Sequence, residues 1–412
     1  MPDKKLLSSK HFCILPWVHA RINQDGNVYP CCRIEDFFSF GSLKKNDFET
    51  IWNDEAIRNF RSQLKKDLPS KSCNDCYKIE SRGGISLRQQ SNSDFADHIY
   101  KVNATQEDGR VDSSNLSFLD IRFSNICNFK CRSCNHENST TWYQDTHSFS
   151  NKNVPSHVVR PVENPEHLWA LLNQQIASLK KIYMAGGEPL LHEEHYQLLE
   201  LLIRQNKSDI ELEYNTNLSS LEYKHWKIVE IWKHFPNITL GASLDGVAEQ
   251  GELIRKGMNW LNTVRNFRII QESAPHVKFI LAPTISVLNC FHITAAIETF
   301  IEIGMLKNPD FFRPNVLFQP NYLSIQILNS KERQNLEKHY LDFLDRIYKS
   351  TAHPLFSKIE SELKSILTHM HSLPSDENER KRFKKFTIKL DILRNEKTLR
   401  LFPELIELIL AE

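Results

Sequence analysis

The 412-residue sequence lacks an excess of either charge: 52 Lys and Arg stand against 51 Asp and Glu, a formal net charge of +1. No global positive field announces a nucleic-acid partner, and none is expected. Long apolar runs are missing as well. No stretch approaches the roughly 20 residues that a membrane-spanning helix needs. The lysine-containing start, residues 1–10, has no apolar core of signal-peptide length. No membrane association and a cytoplasmic location are therefore expected. Internal repeats and low-complexity tracts are also absent, which excludes repeat arrays. What remains is ordinary globular composition, 40% hydrophobic and 25% charged.

Cysteine is present and unevenly placed. Eight of the nine fall within the first 134 residues. In a reducing compartment, clustered cysteines point to metal rather than to disulfides. Cys127, Cys131 and Cys134 share one short loop after a strand-like run at 116–123, so three thiolates can face a common point. Iron–sulfur cubanes are normally held by four cysteine thiolates. Three leave one iron open, and an open position separates a working site from a structural one. The spacing alone also admits three unrelated thiols or half of a zinc site. A second set comprises Cys13, Cys31, Cys32, Cys73 and Cys76. Its two separated pairs suit a zinc ribbon or a [4Fe–4S] cluster, and spacing alone slightly favours zinc. His19, His192, His195 and His292 show no metal-like spacing and read as polar or capping residues.

The pattern along the chain is α/β: a partial (β/α)6 TIM-type barrel with a small N-terminal cysteine-rich α+β domain and a helical C-terminal region. The expected boundaries are 1–92 for the cysteine-rich domain, 93–115 for a linker, 116–328 for the barrel and 329–412 for the helical region. In the first, strands at 18–22 and 27–29 flank the turn signal Asp25-Gly26, and a helix follows at 48–64. Barrel strands are expected at 116–123, 181–184, 211–214, 238–243, 278–285 and 323–328. Helices are expected at 167–179, 195–205, 221–233, 261–273 and 294–303. Such alternation implies a parallel sheet with right-handed crossovers, and chemistry at the C-terminal strand ends. In the last region Leu336, Tyr340, Phe343, Leu344 and Ile347, and then Leu390, Leu393 and Leu399, read as core positions. The basic stretch Arg380 to Lys385 reads as a solvated helical face, and Pro374-Ser375-Asp376 as a helix break.

Four segments follow strand ends in order: Ser124 to Cys134, Ala185-Gly186-Gly187-Glu188-Pro189-Leu190, Asn215-Thr216-Asn217, and Ser243-Leu244-Asp245-Gly246 with Arg255 beyond it. Together they resemble the radical S-adenosylmethionine (SAM) superfamily across the barrel region. The resemblance implies a [4Fe–4S] cluster on Cys127, Cys131 and Cys134, with SAM as cofactor. Gly186, Gly187, Glu188 and Pro189 would embrace the methionyl amino group. Asn217 would bond the ribose or methionine end, or else cap the next helix. Ser243, Asp245 and Arg255 would serve the carboxylate and ribose region, where a guanidinium fork suits a carboxylate. Asn289 would add a polar contact to the adenosine. Leu218 stands where the family usually has glycine. Ser133 stands where many members have an aromatic residue that packs on adenine.

Cys13-x12-Gly26-x4-Cys31, with Cys73-x2-Cys76 and the intervening Ile51-Trp52 and Phe60-Arg61, resembles the auxiliary-cluster modules called SPASM and twitch domains. This implies a second [4Fe–4S] cluster on Cys13, Cys31, Cys73 and Cys76, with Cys32 as a possible substitute. Five cysteines support one such cluster, before the barrel rather than in the commoner place after it.

The resemblance implies reductive cleavage of SAM to methionine and a 5′-deoxyadenosyl radical, which takes hydrogen from a substrate. That substrate is expected to be a peptide or protein, and the electron donor a flavodoxin or ferredoxin. Alternatives are radical oxidation or decarboxylation of a small molecule such as a sugar or nucleoside, and a non-enzymatic zinc-binding adaptor. Cys290 reads as a buried thiol packing as a small hydrophobe, with radical quenching as the sharper alternative. No residue is assigned to the hydrogen-transfer step itself.

Overall fold

A computed structural model describes residues 4–34, 38–81, 83–149, 154, 156–350 and 355–410. The chain forms two compact units. One comprises Met1–Asn125, Val158–Glu213 and His234–Asn237; the other comprises Ile126–His157, Tyr214–Lys233 and Ile238–Glu412.

The first unit is built on strands β1 (His19–Ile22), β2 (Asn27–Tyr29), β3 (Gly41–Ser42), β4 (Phe118–Ile121) and β5 (Lys181–Met184), in the order β5-β4-β1-β2-β3. β1 and β2 pair antiparallel around Asp25-Gly26. Gly26 sits at φ +88°, and an added Cβ would stand 2.4 Å from the Pro161 carbonyl oxygen, so glycine is required there. β1 also pairs in parallel with β4, Ile22 opposite Ile121, so the cysteine-rich strands extend the sheet rather than forming one of their own. β6 (Glu211–Thr216) begins in this unit, where the Glu211 amide donates to the Lys180 carbonyl at 2.9 Å.

Successive strand residues face opposite sides. Ile22, Leu119, Ile121, Ile182, Met184 and Leu212 make one wholly buried apolar face. Helices Pro165–Ile176 and Glu193–Arg204, with Leu172, Ile176, Leu198 and Leu202 fully buried, require such a face to pack on. The opposite face carries Arg21, Asp120, Arg122, Lys181, Tyr183, Glu211 and Glu213.

The helix expected at 48–64 is two helices, Phe48–Trp52 and Glu55–Lys65. Asp54 accepts the Ala56 amide and starts the second afresh. Segment 93–115 carries a 3-10 turn, Ala96–His98, and a helix, Ile99–Asn103, with Ile99 and Val102 buried. The Trp17 indole donates to Thr105 at 2.7 Å.

In the second unit, residues 221–233 form a hairpin, β7 (Glu222–Tyr223) and β8 (Trp226–Lys227), followed by a short helix, Ile228–Trp232, instead of one long helix. Lys224 turns the hairpin at φ +53°. β9 (Ile238–Ala242) and β10 (Lys278–Leu281) pair in parallel. The strand expected at 278–285 breaks at Ala282-Pro283, because proline has no amide to donate. It resumes as β11 (Thr284–Ile285), parallel to β12 (Asn315–Val316).

No strand forms at 323–328. Two 3-10 turns stand there, Asn321–Leu323 and Ile325–Ile327, the second capped by the Ser324 hydroxyl accepting the Gln326 amide. The alternation of buried Leu323, Ile325 and Ile327 is real but arises from turns. Strand–helix alternation with largely parallel pairing is the architecture of a partial TIM-type barrel.

Helices Ser330–Ser350, Leu355–His371 and Glu377–Arg394 follow. Leu336, Tyr340, Phe343, Leu344, Ile347 and Leu390 are buried as expected, but Leu393 is 37% exposed and is no core residue. Arg380 also departs from the solvated face expected of it. It is buried, and its guanidinium donates to Glu332 at 2.6 and 3.1 Å. Among the described residues no helix is long and apolar enough to cross a membrane.

Ile22 is fully buried where β1 joins β4. Ile22→Ala is expected to destabilise the protein by about 2–5 kcal/mol through the cavity it leaves. Denaturant unfolding should show a lower midpoint at unchanged slope.

Candidate metal centres and cofactor site

The three-cysteine loop lies in the second unit. Its backbone is pinned by amides of Lys130 and Arg132, each donating at 2.8 Å to the carbonyls of Lys256 and Ile254. Gly257, at φ +110°, lets the two segments meet: an added Cβ would lie 2.8 Å from the Asn128 carbonyl oxygen. Hydroxyls of Ser139 and Thr141 donate to the Phe129 carbonyl at 2.6 and 2.8 Å. The Trp142 indole donates to the Cys131 carbonyl at 2.9 Å.

N–H groups reach the sulfurs themselves. The Phe129 amide lies 3.4 Å from Cys127 Sγ, Asn217 Nδ2 lies 3.9 Å from the same atom, and Arg255 Nη1 lies 3.9 Å from Cys131 Sγ. Such donors stabilise thiolate charge and tune a cluster. Burial, then Cys131, pushes the Cys134 thiol up to about 12. Burial also raises Cys131, with Arg255 pulling the other way. Metal loading therefore displaces protons from these sulfurs.

Around this loop the expected cofactor residues take definite roles. Asn217 also donates to Asn128 Oδ1 at 2.9 Å, and its own oxygen accepts the Ser219 amide at 2.9 Å. Leu218, in the usual glycine position, adopts φ +58° with its side chain fully buried. Arg255 Nη2 donates to Asp245 Oδ1 at 2.9 Å, and Nε stands 2.8 Å from Oδ2. Burial alone would lower the Arg255 pKa, but Asp245 and Cys131 outweigh it and the net shift is upward. Asp245 also accepts the Thr284 amide at 2.7 Å. Asn289 donates to the Asp245 and Thr284 carbonyls, both at 2.9 Å, and accepts the Ser286 amide at 2.7 Å. Its amide group is thus engaged in shaping the turn. Ser243 is half-buried, and among the described residues its hydroxyl makes no hydrogen bond. Cys290 is fully buried, its thiol raised by burial.

The loop is also clamped by charge. Arg132, between the last two cysteines, has a fully buried side chain whose Nη2 lies 2.6 Å from both Asp391 and Glu396. Buried Asp145 accepts Lys130 at 3.0 Å and Arg394 at 2.7 Å. The Arg394 guanidinium lies 4.7 Å from the centre of the Trp142 ring.

In the first unit, Gly186 and Gly187 follow β5 at φ +79° and +53°. A Cβ on Gly186 would meet the Arg122 side chain at 2.7 Å. The buried Glu188 carboxylate accepts the Leu190 amide at 3.2 Å and caps the turn Pro189–Leu191. Cys13, Cys31, Cys73 and Cys76 line one small cavity together with Arg33 and Arg88. Burial and then Cys73 push the Cys13 thiol up; burial and then Cys76 push Cys73 up to about 12. Cys32 does not line that cavity. It is exposed, and its carbonyl accepts Arg21 Nη1 at 3.2 Å.

Among the described residues no three His, Cys, Asp or Glu side chains gather closely enough for a single metal ion. A tetrahedral zinc site draws its thiolates to about 2.3 Å from one atom. A four-iron cluster distributes its cysteines over separate irons. The all-thiol donor sets, the N–H donors on sulfur and the two arginines beside the four-cysteine cavity fit such clusters.

Asp120 is not among the residues expected from the sequence to serve the site. It is 1% exposed, and among the described residues neither carboxylate oxygen accepts a hydrogen bond. Its nearest cation, Arg122 Nε, stands 3.7 Å away. Asp120 pairs across the sheet with Arg21 on one side and Tyr183 on the other. The available signal was a charged residue inside the run Leu119-Asp120-Ile121-Arg122-Phe123, since buried parallel strands are ordinarily apolar throughout.

Comparison with known families agrees with this arrangement. A model of the SPASM iron–sulfur cluster-binding domain matches residues 13–77, and the model of the radical SAM superfamily matches residues 121–284. The chain thus carries a region matching the radical SAM superfamily, preceded by one matching the SPASM iron–sulfur domain, and these matches imply [4Fe–4S] clusters and SAM as cofactors. Among curated protein sequences, none matches.

Similar solved structures include native anSMEcpe with bound AdoMet, at TM-score 0.40 and 18% identity, covering 57% of this chain and 62% of that one. Streptococcus suis SuiB bound to precursor peptide SuiA has TM-score 0.39 and 13% identity, covering 81% and 70%. TYW1 with a lysine–pyruvate adduct has TM-score 0.30 and 15% identity, covering 54% and 72%. The chain spans about three-fifths of the length of the anSMEcpe chains it resembles.

Arg132→Met removes the cation shared by Asp391 and Glu396. Because Lys256 stays 3.0 Å from Glu396, the expected loss is near the low end for a broken buried pair, about 3 kcal/mol. Unfolding curves would register it, with faster loss of iron from the loaded protein.

Burial lifts the Asp120 carboxyl above its ordinary range, against the opposing pull of Arg122 and Arg21. With the folded pKa raised, the stability contribution is present below the unfolded value of about 3.9 and is lost as pH rises through the folded value. Asp120→Asn cannot ionise. It is expected to be more stable than wild type at pH 7 by about 1–3 kcal/mol, with the gap closing toward pH 4, as measured by unfolding at the two pH values.

Proposed function

We propose that this enzyme reductively cleaves SAM and abstracts hydrogen from a peptide or protein substrate. The observation that carries the reading is the three-cysteine loop, with N–H donors on its sulfurs and the Arg255–Asp245 pair beside it in one unit. When bound, the cluster and SAM supply the one-electron chemistry that yields methionine and a 5′-deoxyadenosyl radical.

The chain's own part is to bind and orient. Cys127, Cys131 and Cys134 would hold the cluster and leave one iron without a protein ligand. Arg255, positioned by Asp245, faces the Cys131 sulfur with its remaining nitrogen, where it would meet a carboxylate or stabilise cluster charge. Gly186 and Gly187 expose backbone polar groups after β5 for a charged amino group. Ser243 offers a hydroxyl that makes no hydrogen bond among the described residues. Cys13, Cys31, Cys73 and Cys76 would hold the auxiliary cluster. With all four ligating, that cluster would be coordinatively saturated and suited to electron transfer or structure, with electrons arriving from a flavodoxin- or ferredoxin-type donor. The SPASM-type match favours a peptide, because proteins with such auxiliary domains often modify ribosomally made peptides.

Anaerobic reconstitution should give about eight irons per chain, as two four-iron clusters require, and dithionite-dependent 5′-deoxyadenosine. Cys131→Ala is expected to abolish that product. Cys73→Ala should spare uncoupled cleavage while blocking substrate turnover. Deuterium carried from a labelled peptide into 5′-deoxyadenosine would establish the substrate class; deuterium arriving only from a sugar or nucleoside would refute the peptide reading.

A further inference from the structure

The polar face of the first unit's sheet holds a transverse row of side chains. Tyr29, Arg21, Asp120 and Tyr183 occupy register-paired positions on β2, β1, β4 and β5. The Arg21 guanidinium lies 4.0 Å from the centre of the Tyr29 ring and donates to the Cys32 carbonyl at 3.2 Å. Arg122 stands one strand step toward the C-terminal end of the sheet, its side chain against Gly186. The row therefore lies just before the glycine segment that follows β5, at the strand ends where barrel enzymes act. At its centre the Asp120 carboxylate is 1% exposed; Arg122 Nε stands 3.7 Å from it, and among the described residues no group donates a hydrogen bond to it.

Charge and geometry narrow the ligand. A buried carboxylate repels a simple anion, and two flanking guanidinium groups repel a simple cation. A neutral group presenting an N–H beside a carbonyl satisfies both. Its N–H donates to Asp120 and its oxygen accepts from an arginine, which relieves a carboxylate that is costly to leave without a donor. The amide is that group.

We propose that Asp120, flanked by Arg21, Arg122 and Tyr183, is a substrate-anchoring subsite for a peptide amide. The proposal rests on the peptide reading above in its choice of ligand, but its test involves no turnover.

Saturation-transfer NMR on the full-length, reconstituted and oxidised protein would use three probes: N-acetylglycine N-methylamide, free glycine and acetate. The blocked glycine should give the strongest transfer. Asp120→Leu should reduce its signal at least fivefold, and Asp120→Asn, which keeps the shape, at least twofold. Both variants should keep their iron content and form 5′-deoxyadenosine within about twofold of wild type. Transfer to acetate or free glycine equal to that of the blocked glycine would overturn the amide assignment. So would no signal from any probe, or a blocked-glycine signal unchanged in both variants. Loss of SAM cleavage in an iron-replete Asp120→Asn protein would move Asp120 to the cofactor and also overturn it. A negative NMR result would leave hydrogen abstraction from peptides intact, whereas failed deuterium transfer with positive NMR would count against the reaction and not the subsite.

Discussion

Three cysteines can serve one cluster only if the loop that carries them holds a fixed shape, and buried charge holds it. Arg132 stands between Cys131 and Cys134 and is tied at 2.6 Å to Asp391 and to Glu396. Lys130 is tied to Asp145, which also takes Arg394. Arg394 in turn lies over Trp142, whose indole N–H holds the Cys131 carbonyl. A continuous set of directed contacts thus runs from helix Glu377–Arg394 to the backbone of a candidate ligand. Apolar packing alone is non-directional, whereas ion pairs with hydrogen-bond geometry fix angles as well as proximity. The segment beyond residue 284, outside the superfamily match, contributes in this way to the core of the site.

The first unit solves a related problem with a sheet. Parallel pairing of β1 with β4 places the cysteine-rich strands and the first barrel strand in one frame, and Cys31 follows shortly after β2 of that sheet. Four thiolates concentrate negative charge. Arg33 and Arg88 line the same cavity, and Arg88 is itself fixed to Glu80 at 2.6 Å. The adjacent Cys31 and Cys32 diverge, one lining the cavity and the other exposed beside Arg21. Spacing could not distinguish two neighbouring cysteines; the fold groups Cys31 with the other three.

Strands with clean alternation were legible in the sequence. β5 forms at 181–184 as expected, and β9 falls one residue short, because period-two apolar patterning is strong there. The cysteine and glycine segments after those strands were legible too, since their chemistry is local to a few residues. Errors arose where one pattern admits two structures. Leu323, Ile325 and Ile327 alternate as a strand would, yet a serine cap turns the segment into 3-10 turns. The hairpin at 222–227 turns on Lys224-His225, residues that carry no turn signal. Arg380 reads as one of a basic run, and only its tertiary partner Glu332 shows that it is buried.

Asp120 was illegible for a different reason: its meaning lies in what its neighbours fail to do. Asp120, Asp145 and Asp245 are each no more than 2% exposed. Asp145 takes Lys130 and Arg394, and Asp245 takes Arg255 and the Thr284 amide. Burial is equal in the three, so desolvation does not distinguish them. Position does. Asp120 lies within a strand whose backbone amides are committed to parallel pairing on both sides. Arg21 is drawn toward Tyr29 and the Cys32 carbonyl, and Arg122 is aligned along Gly186. A leucine would suit a parallel strand better on stability grounds. The carboxylate therefore makes sense as a group whose hydrogen-bond donor is supplied by a ligand rather than by the fold.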